Sequence, residues 1–121
     1  MSVDLDAFAA EWIEAWNAHA LERILNHYAD DVVFESPGVQ LLMGDPTGRV
    51  EGKPALRVYW RRALDRAPDL RFELRDVFAG ANGCALLYWS EPRGVEVIET
   101  FAFDSDGLVV GSAAYRALRR S

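Results

Sequence analysis

The chain has 121 residues, the size of one domain, and half of them are hydrophobic, including four Trp, six Phe and four Tyr. That is enough to build a core and to wall a ligand cavity. A formal net charge of -6 argues against a nucleic-acid partner, although arginines gather from Arg57 to Arg66 and from Arg116 to Arg120. The single cysteine, Cys84, excludes an internal disulfide and a Cys-based zinc site, and no apolar run approaches the ~20 residues that span a bilayer.

Leu5, Phe8, Ala9, Trp12, Ile13 and Trp16 recur at helical spacing, with Asp4 and Asp6 where the helix dipole favours anions. The N-terminus lacks the basic-then-apolar pattern of a signal peptide, so a cytoplasmic protein without a membrane partner is expected. Leu21, Ile24, Leu25 and Tyr28 predict a second short helix that ends at Asp30 and Asp31. Val32, Val33 and Phe34 then read as a strand through their β-branched and aromatic content.

Between Ser36 and Gly52 the Gly and Pro content predicts a long loop. Its Leu41, Leu42 and Met43 suit a lid better than water. Pro54 suits the first turn of a third helix with Leu56, Trp60, Ala63 and Leu64 buried and Arg57, Arg61, Asp65 and Arg66 solvated. Leu70, Phe72 and Leu74 alternate with charged residues as in a sheet with one buried face. Turns at Asn82-Gly83, Pro92-Arg93-Gly94 and Asp104 to Gly107 separate three more strands, at 84–91, 95–103 and 108–118.

The chain thus reads as one α+β domain over 1–121, with three helices packed on a strongly curved, mostly antiparallel sheet. Such a sheet buries its apolar face on the helices, and wrapped into a cone-shaped barrel it leaves an open end as a pocket.

Trp12-Ile13-Glu14 through Tyr28-Ala29-Asp30-Asp31, Phe34-Glu35-Ser36-Pro37-Gly38, Gly52-Lys53 to Arg61, and Val97-Ile98-Glu99 carry a resemblance over nearly the whole chain. In this order they resemble the SnoaL-like and ketosteroid isomerase-like proteins of the nuclear transport factor 2-like fold. The resemblance implies a cone-shaped α+β barrel, an apolar pocket, and proton transfer without a cofactor in isomerases, cyclases and dehydratases.

The departures from the isomerase are specific. Ser36 stands where the isomerase has its proton-shuttling Asp, and Trp12 where it has the oxyanion-donor Tyr. Glu99 replaces the protonated Asp that shares that oxyanion. Tyr28 keeps one tyrosine of the network, Trp60 replaces another, and Arg116 falls where the isomerase has a Trp. Steroid isomerisation of the family type is therefore not expected.

Glu99 is the candidate catalytic residue on its own chemistry. It shares a strand face with Val95, Val97, Phe101 and Phe103, where desolvation raises a carboxyl pKa. The alternative is a wet rim. If the Asp104 turn pairs Phe103 with Leu108, Glu99 falls opposite Ser112, and Arg116 lies roughly 13 Å further along, too far for an ion pair. Arg116 then stands at the pocket mouth or on the surface.

Ser36 either binds a ligand oxygen or caps a turn. Trp12, Trp16, Tyr28, Phe34, Trp60 and Phe101 line the pocket or serve as core. Of Tyr88 and Trp89, whose facing depends on the turn at Pro92, the resemblance favours Trp89 as the inward one.

His19 and His27 have no placement as a catalytic base, and Asp30, Asp31, Glu35 and Asp76 show no metal-ligand spacing. The expected partner is a small hydrophobic, oxygenated ring compound, with a non-catalytic ligand-binding or dimerisation module as the alternative. Ile98, Thr100, Ala102, Val109, Ala113 and Tyr115 form an outer apolar face that predicts a homodimer.

Overall fold

The structure, a computed structural model, describes residues 3–118; Arg119 and Arg120 of the C-terminal basic cluster lie outside them. Helix α1, Leu5–Asn17, starts where predicted, because the Asp4 side chain accepts the Ala7 N–H at 3.1 Å. Its Phe8, Ala9, Trp12, Ala15 and Trp16 are buried, a stripe at helical spacing. Helix α2, Leu21–Leu25, is shorter than predicted, and Tyr28 opens strand β1, Tyr28–Glu35, instead of closing the helix. Helical spacing cannot distinguish a fourth helical contact from a strand that enters on the same side. Here pairing with the last strand decides the matter, and Asp30 and Asp31 sit exposed within β1.

The expected long loop is mostly ordered structure. Ser36 caps helix α3, Pro37–Met43, with Pro37 in its first turn and Gly44 ending it in the left-handed region at φ 66°. Strand β2, Arg49–Glu51, then pairs with β1, and helix α4, Lys53–Arg66, buries Leu56, Tyr59, Trp60 and Leu64.

Strands β3, Arg71–Ala79, β4, Gly83–Glu91, β5, Val95–Phe103, and β6, Val109–Arg116, form the antiparallel meander. The six strands run β2-β1-β6-β5-β4-β3, antiparallel except for β1 against β6. The predicted barrel is therefore a curved but open sheet, ending on β2 and β3. The four helices among the described residues are one more than the sequence suggested.

Two register details position the site. Ser90 pairs with Val95 across a four-residue turn, which sets Tyr88 opposite Val97 and Trp89 opposite Glu96. Tyr88 faces inward. Trp89, the expected inward residue, faces out, its indole N–H donated to Glu91 at 2.8 Å and the Arg75 guanidinium 4.9 Å above its ring.

At the β5–β6 turn Phe103 pairs with Val109 and Ala102 with Gly111, so Val110 bulges. Glu99 thus falls opposite Ala114, not Ser112; Ser112 is opposite Phe101 and Arg116 opposite Val97. The same bulge turns Val109 inward, where it is fully buried, and removes it from the expected outer face.

Candidate functional site

A cavity of about 630 Å³ lies between α1, α3, α4 and the inner face of the sheet. Trp16, Phe34, Trp60 and Phe72 supply aromatic wall, and Tyr88 and Glu99 project from neighbouring strands. Of the residues expected there, Trp16, Phe34, Ser36, Trp60, Glu99 and Arg116 line the cavity. Trp12, Tyr28, Phe101 and Ser112 do not.

Trp12 and Tyr28 are fully buried beneath the cavity, and the Trp12 indole N–H is donated to the Tyr28 hydroxyl at 2.9 Å. Neither is placed as a ligand donor. Phe101 is core, edge-on to Phe8 and Trp12. Ser112 is buried with its hydroxyl unpartnered among the described residues, as is the Trp16 indole N–H.

Glu99 is 3% exposed and accepts the Tyr88 hydroxyl on Oε1 at 2.9 Å. Burial drives its pKa up from 4.5 to about 7, with the Tyr88 bond opposing the rise. Both protonation states are therefore populated near neutral pH. Tyr88 and Tyr28 are pushed well above the ordinary phenol range, first by burial and then by the negative charge of Glu99. No ion pair joins Glu99 to Arg116 among the described residues. The two are closer than expected, however, since the bulge makes Arg116 a diagonal cross-strand neighbour of Glu99.

Ser36 is buried, and its Oγ accepts the Gly38 N–H at 3.1 Å, so it caps α3. It also interacts with the Tyr59 hydroxyl. Tyr59 reaches the cavity from α4, its pKa raised by burial and lowered in part by Ser36 and Arg116. Arg116 is half-buried, and desolvation and the nearby Arg93 lower its pKa. Leu41 and Leu42 of α3 line the cavity, whereas Met43 takes its sulfur to Arg62 at 3.3 Å.

The remaining candidates have structural roles. The His19 ring bonds the Leu70 carbonyl at 2.9 Å, and His27 approaches Glu11 at 3.4 Å. Burial pushes the Cys84 thiol up to about 11, which makes it a poor nucleophile. No group of three or more His, Cys, Asp or Glu among the described residues is arranged to hold a metal. No helix among them is long and apolar enough to cross a membrane.

Sequence reasoning missed Tyr59 and could not choose between Tyr88 and Trp89, the resemblance favouring Trp89. Tyr59 was recoverable, because Leu56, Tyr59, Trp60 and Ala63 fall at i, i+3, i+4 and i+7. Tyr88 was not, because the period of a strand is two and its facing hangs on the length of one turn.

The family model for the SnoaL-like domain matches residues 9–112. A SnoaL-like protein of unknown function from Burkholderia thailandensis is 41% identical, with 94% of each chain covered and a TM-score of 0.90. A SnoaL-like family protein from Agrobacterium tumefaciens, provisionally assigned as an isomerase, is 17% identical over 94% of this chain and 97% of that one, with a TM-score of 0.73. A nuclear transport factor 2-like protein of unknown function from Cytophaga hutchinsonii is 12% identical over 97% and 93%, with a TM-score of 0.71. The last two likenesses are of fold alone. No curated protein matches the sequence.

Proposed function

Since the chain belongs to the SnoaL-like domain family, we propose that it binds a hydrophobic, oxygenated ring compound and moves a proton on it without a cofactor, with Glu99 as the acid–base group. The observation that carries this reading is a buried carboxyl held by Tyr88 and facing an aromatic cavity. As carboxylate, Glu99 takes a proton from a carbon next to a carbonyl; as carboxylic acid, it returns that proton to another position. A pKa of about 7 suits both half-steps, because a shuttle works best when its two forms are close in energy. An isomerase, cyclase or dehydratase outcome depends on where the proton returns.

One observation favours a second reading, a non-catalytic ligand-binding module. Ser36, at the position of the family base, is occupied as the cap of α3. Glu99→Gln separates the two. Under the first reading it abolishes proton exchange between solvent deuterium and a bound ring ligand while leaving binding nearly intact. Exchange that persists in Glu99→Gln removes Glu99 as the acid–base group.

The proposal extends to a homodimer formed through the outer sheet face. It is supported by Ile98 and Tyr115, which are 44% and 61% exposed there. A cytoplasmic location, and no nucleic-acid partner for a chain of net charge -6, complete it.

A further inference from the structure

The polar groups at the cavity mouth are not those a neutral ligand needs. Gly38 in α3, Tyr59 in α4 and Arg116 in β6 converge from three elements. A Cβ on Gly38 would overlap the Tyr59 hydroxyl oxygen and lie 3.0 Å from Arg116 Nη2. Gly38 carries no positive φ, so its backbone does not demand glycine. Space does. The glycine lets a phenol hydroxyl and a guanidinium meet over one point of the backbone.

Charge points the same way. Acidic residues outnumber basic ones 19 to 13 in the chain, yet Arg66, Arg93 and Arg116 all border this cavity. Of the two glutamates that border it, Glu91 accepts the Trp89 indole N–H, and Glu99 is bonded to Tyr88 deeper in. No carboxylate among the described residues pairs with Arg116. A half-buried guanidinium next to a second arginine costs free energy that an arriving anion would offset. A guanidinium fork with one hydroxyl donor beside it matches a planar two-oxygen anion.

We propose that the ligand carries a carboxylate, seated on Arg116 and the Tyr59 hydroxyl over Gly38, with its apolar ring extending inward past Trp60 and Phe72 to Glu99. This rests on the cavity being a ring-compound pocket, as proposed above. It narrows the substrate class to ring carboxylates, and the anchored end sets which ring carbon meets Glu99.

The test compares 2-naphthoate with its uncharged isostere 2-naphthamide by isothermal titration. Wild-type protein is expected to bind the carboxylate at least about tenfold more tightly, the scale of a charge-assisted hydrogen bond. Arg116→Gln should bring that ratio close to one, and Arg116→Lys should restore part of it. Tyr59→Phe, which keeps the ring and its packing, should lower the ratio about threefold and guards against a folding defect in the Arg116 variants.

An amide bound as tightly as the acid overturns the carboxylate seat and leaves the ring pocket standing. So does a preference that survives Arg116→Gln. Binding of neither probe overturns the ring pocket and the seat with it. Glu99→Gln should keep the carboxylate preference, so failure of the proton-transfer reading and failure of the seat give different results.

Discussion

Tyr88 and Glu99 lie one strand apart and two residues out of cross-strand register, and the phenol donates to the carboxylate at 2.9 Å. Tyr88 pairs directly with Val97, and Glu99 with Leu86, so the bond runs diagonally across the inner face of the sheet. It is the only side-chain hydrogen bond that Glu99 makes among the described residues, and it stabilises the charged form. Burial outweighs it.

The pH dependence of stability follows. Folding raises the Glu99 pKa from 4.5 to about 7, so the native state holds this proton more tightly than the unfolded chain. Its stabilising effect is fully present below pH 4.5 and is lost as pH rises through about 7. Glu99→Gln, which still accepts from Tyr88, should therefore match wild type at pH 4.5 and exceed it at pH 8. Chemical denaturation at the two pH values measures the difference. Equal effects at both would mean that Glu99 titrates normally.

Tyr88→Phe removes the one interaction that lowers the Glu99 pKa while keeping the ring. The Glu99 midpoint, followed by carboxyl NMR, should move upward from about 7. A downward or absent shift would show that the Tyr88 bond does not control the carboxyl.

Ser36→Ala deletes the side-chain cap of α3, a helix of seven residues with few other local supports. A loss of about 1 kcal/mol in unfolding free energy is expected, and Ser36→Thr should recover most of it. An unchanged stability in Ser36→Ala would free Ser36 for a direct role toward ligand.

The dimer proposal predicts a species near twice 13.6 kDa in sedimentation at low micromolar concentration. Ile98→Arg puts a charge in the centre of the outer face and should release monomer. Wild type sedimenting as a monomer would remove the proposal.

Several features that depend on local sequence were legible from residues alone. The amphipathic stripe of α1, the Pro54 start of α4 and the Gly-rich turns between strands each state their structure locally. The signals for α3 were present too, in Ser36, Pro37 and Gly44, but the density of Gly and Pro around them reads as loop. Tyr28 illustrates the opposite failure. Its spacing fits α2, and only its pairing with Val109 makes it strand.

Composition and patterning thus determined the class of the molecule: α+β, aromatic-cored, acidic, with one carboxylate on an apolar strand face. They also singled out Glu99 for desolvation, since it shares a strand face with Val95, Val97 and Phe101, but left a wet rim as the alternative, which the 3% exposure of Glu99 in the fold excludes. Tertiary structure decided what Glu99 meets. A turn one residue longer than expected after Phe103 and a bulge at Val110 together shift the β5–β6 register by two residues, exchanging Ser112 for Ala114 opposite Glu99. The four-residue turn at Pro92 puts Tyr88 rather than Trp89 on the face of Glu99. Side chains alternate at every residue of a strand, so an error of one in a turn reverses a face, and turn length depends on backbone geometry that no single side chain announces.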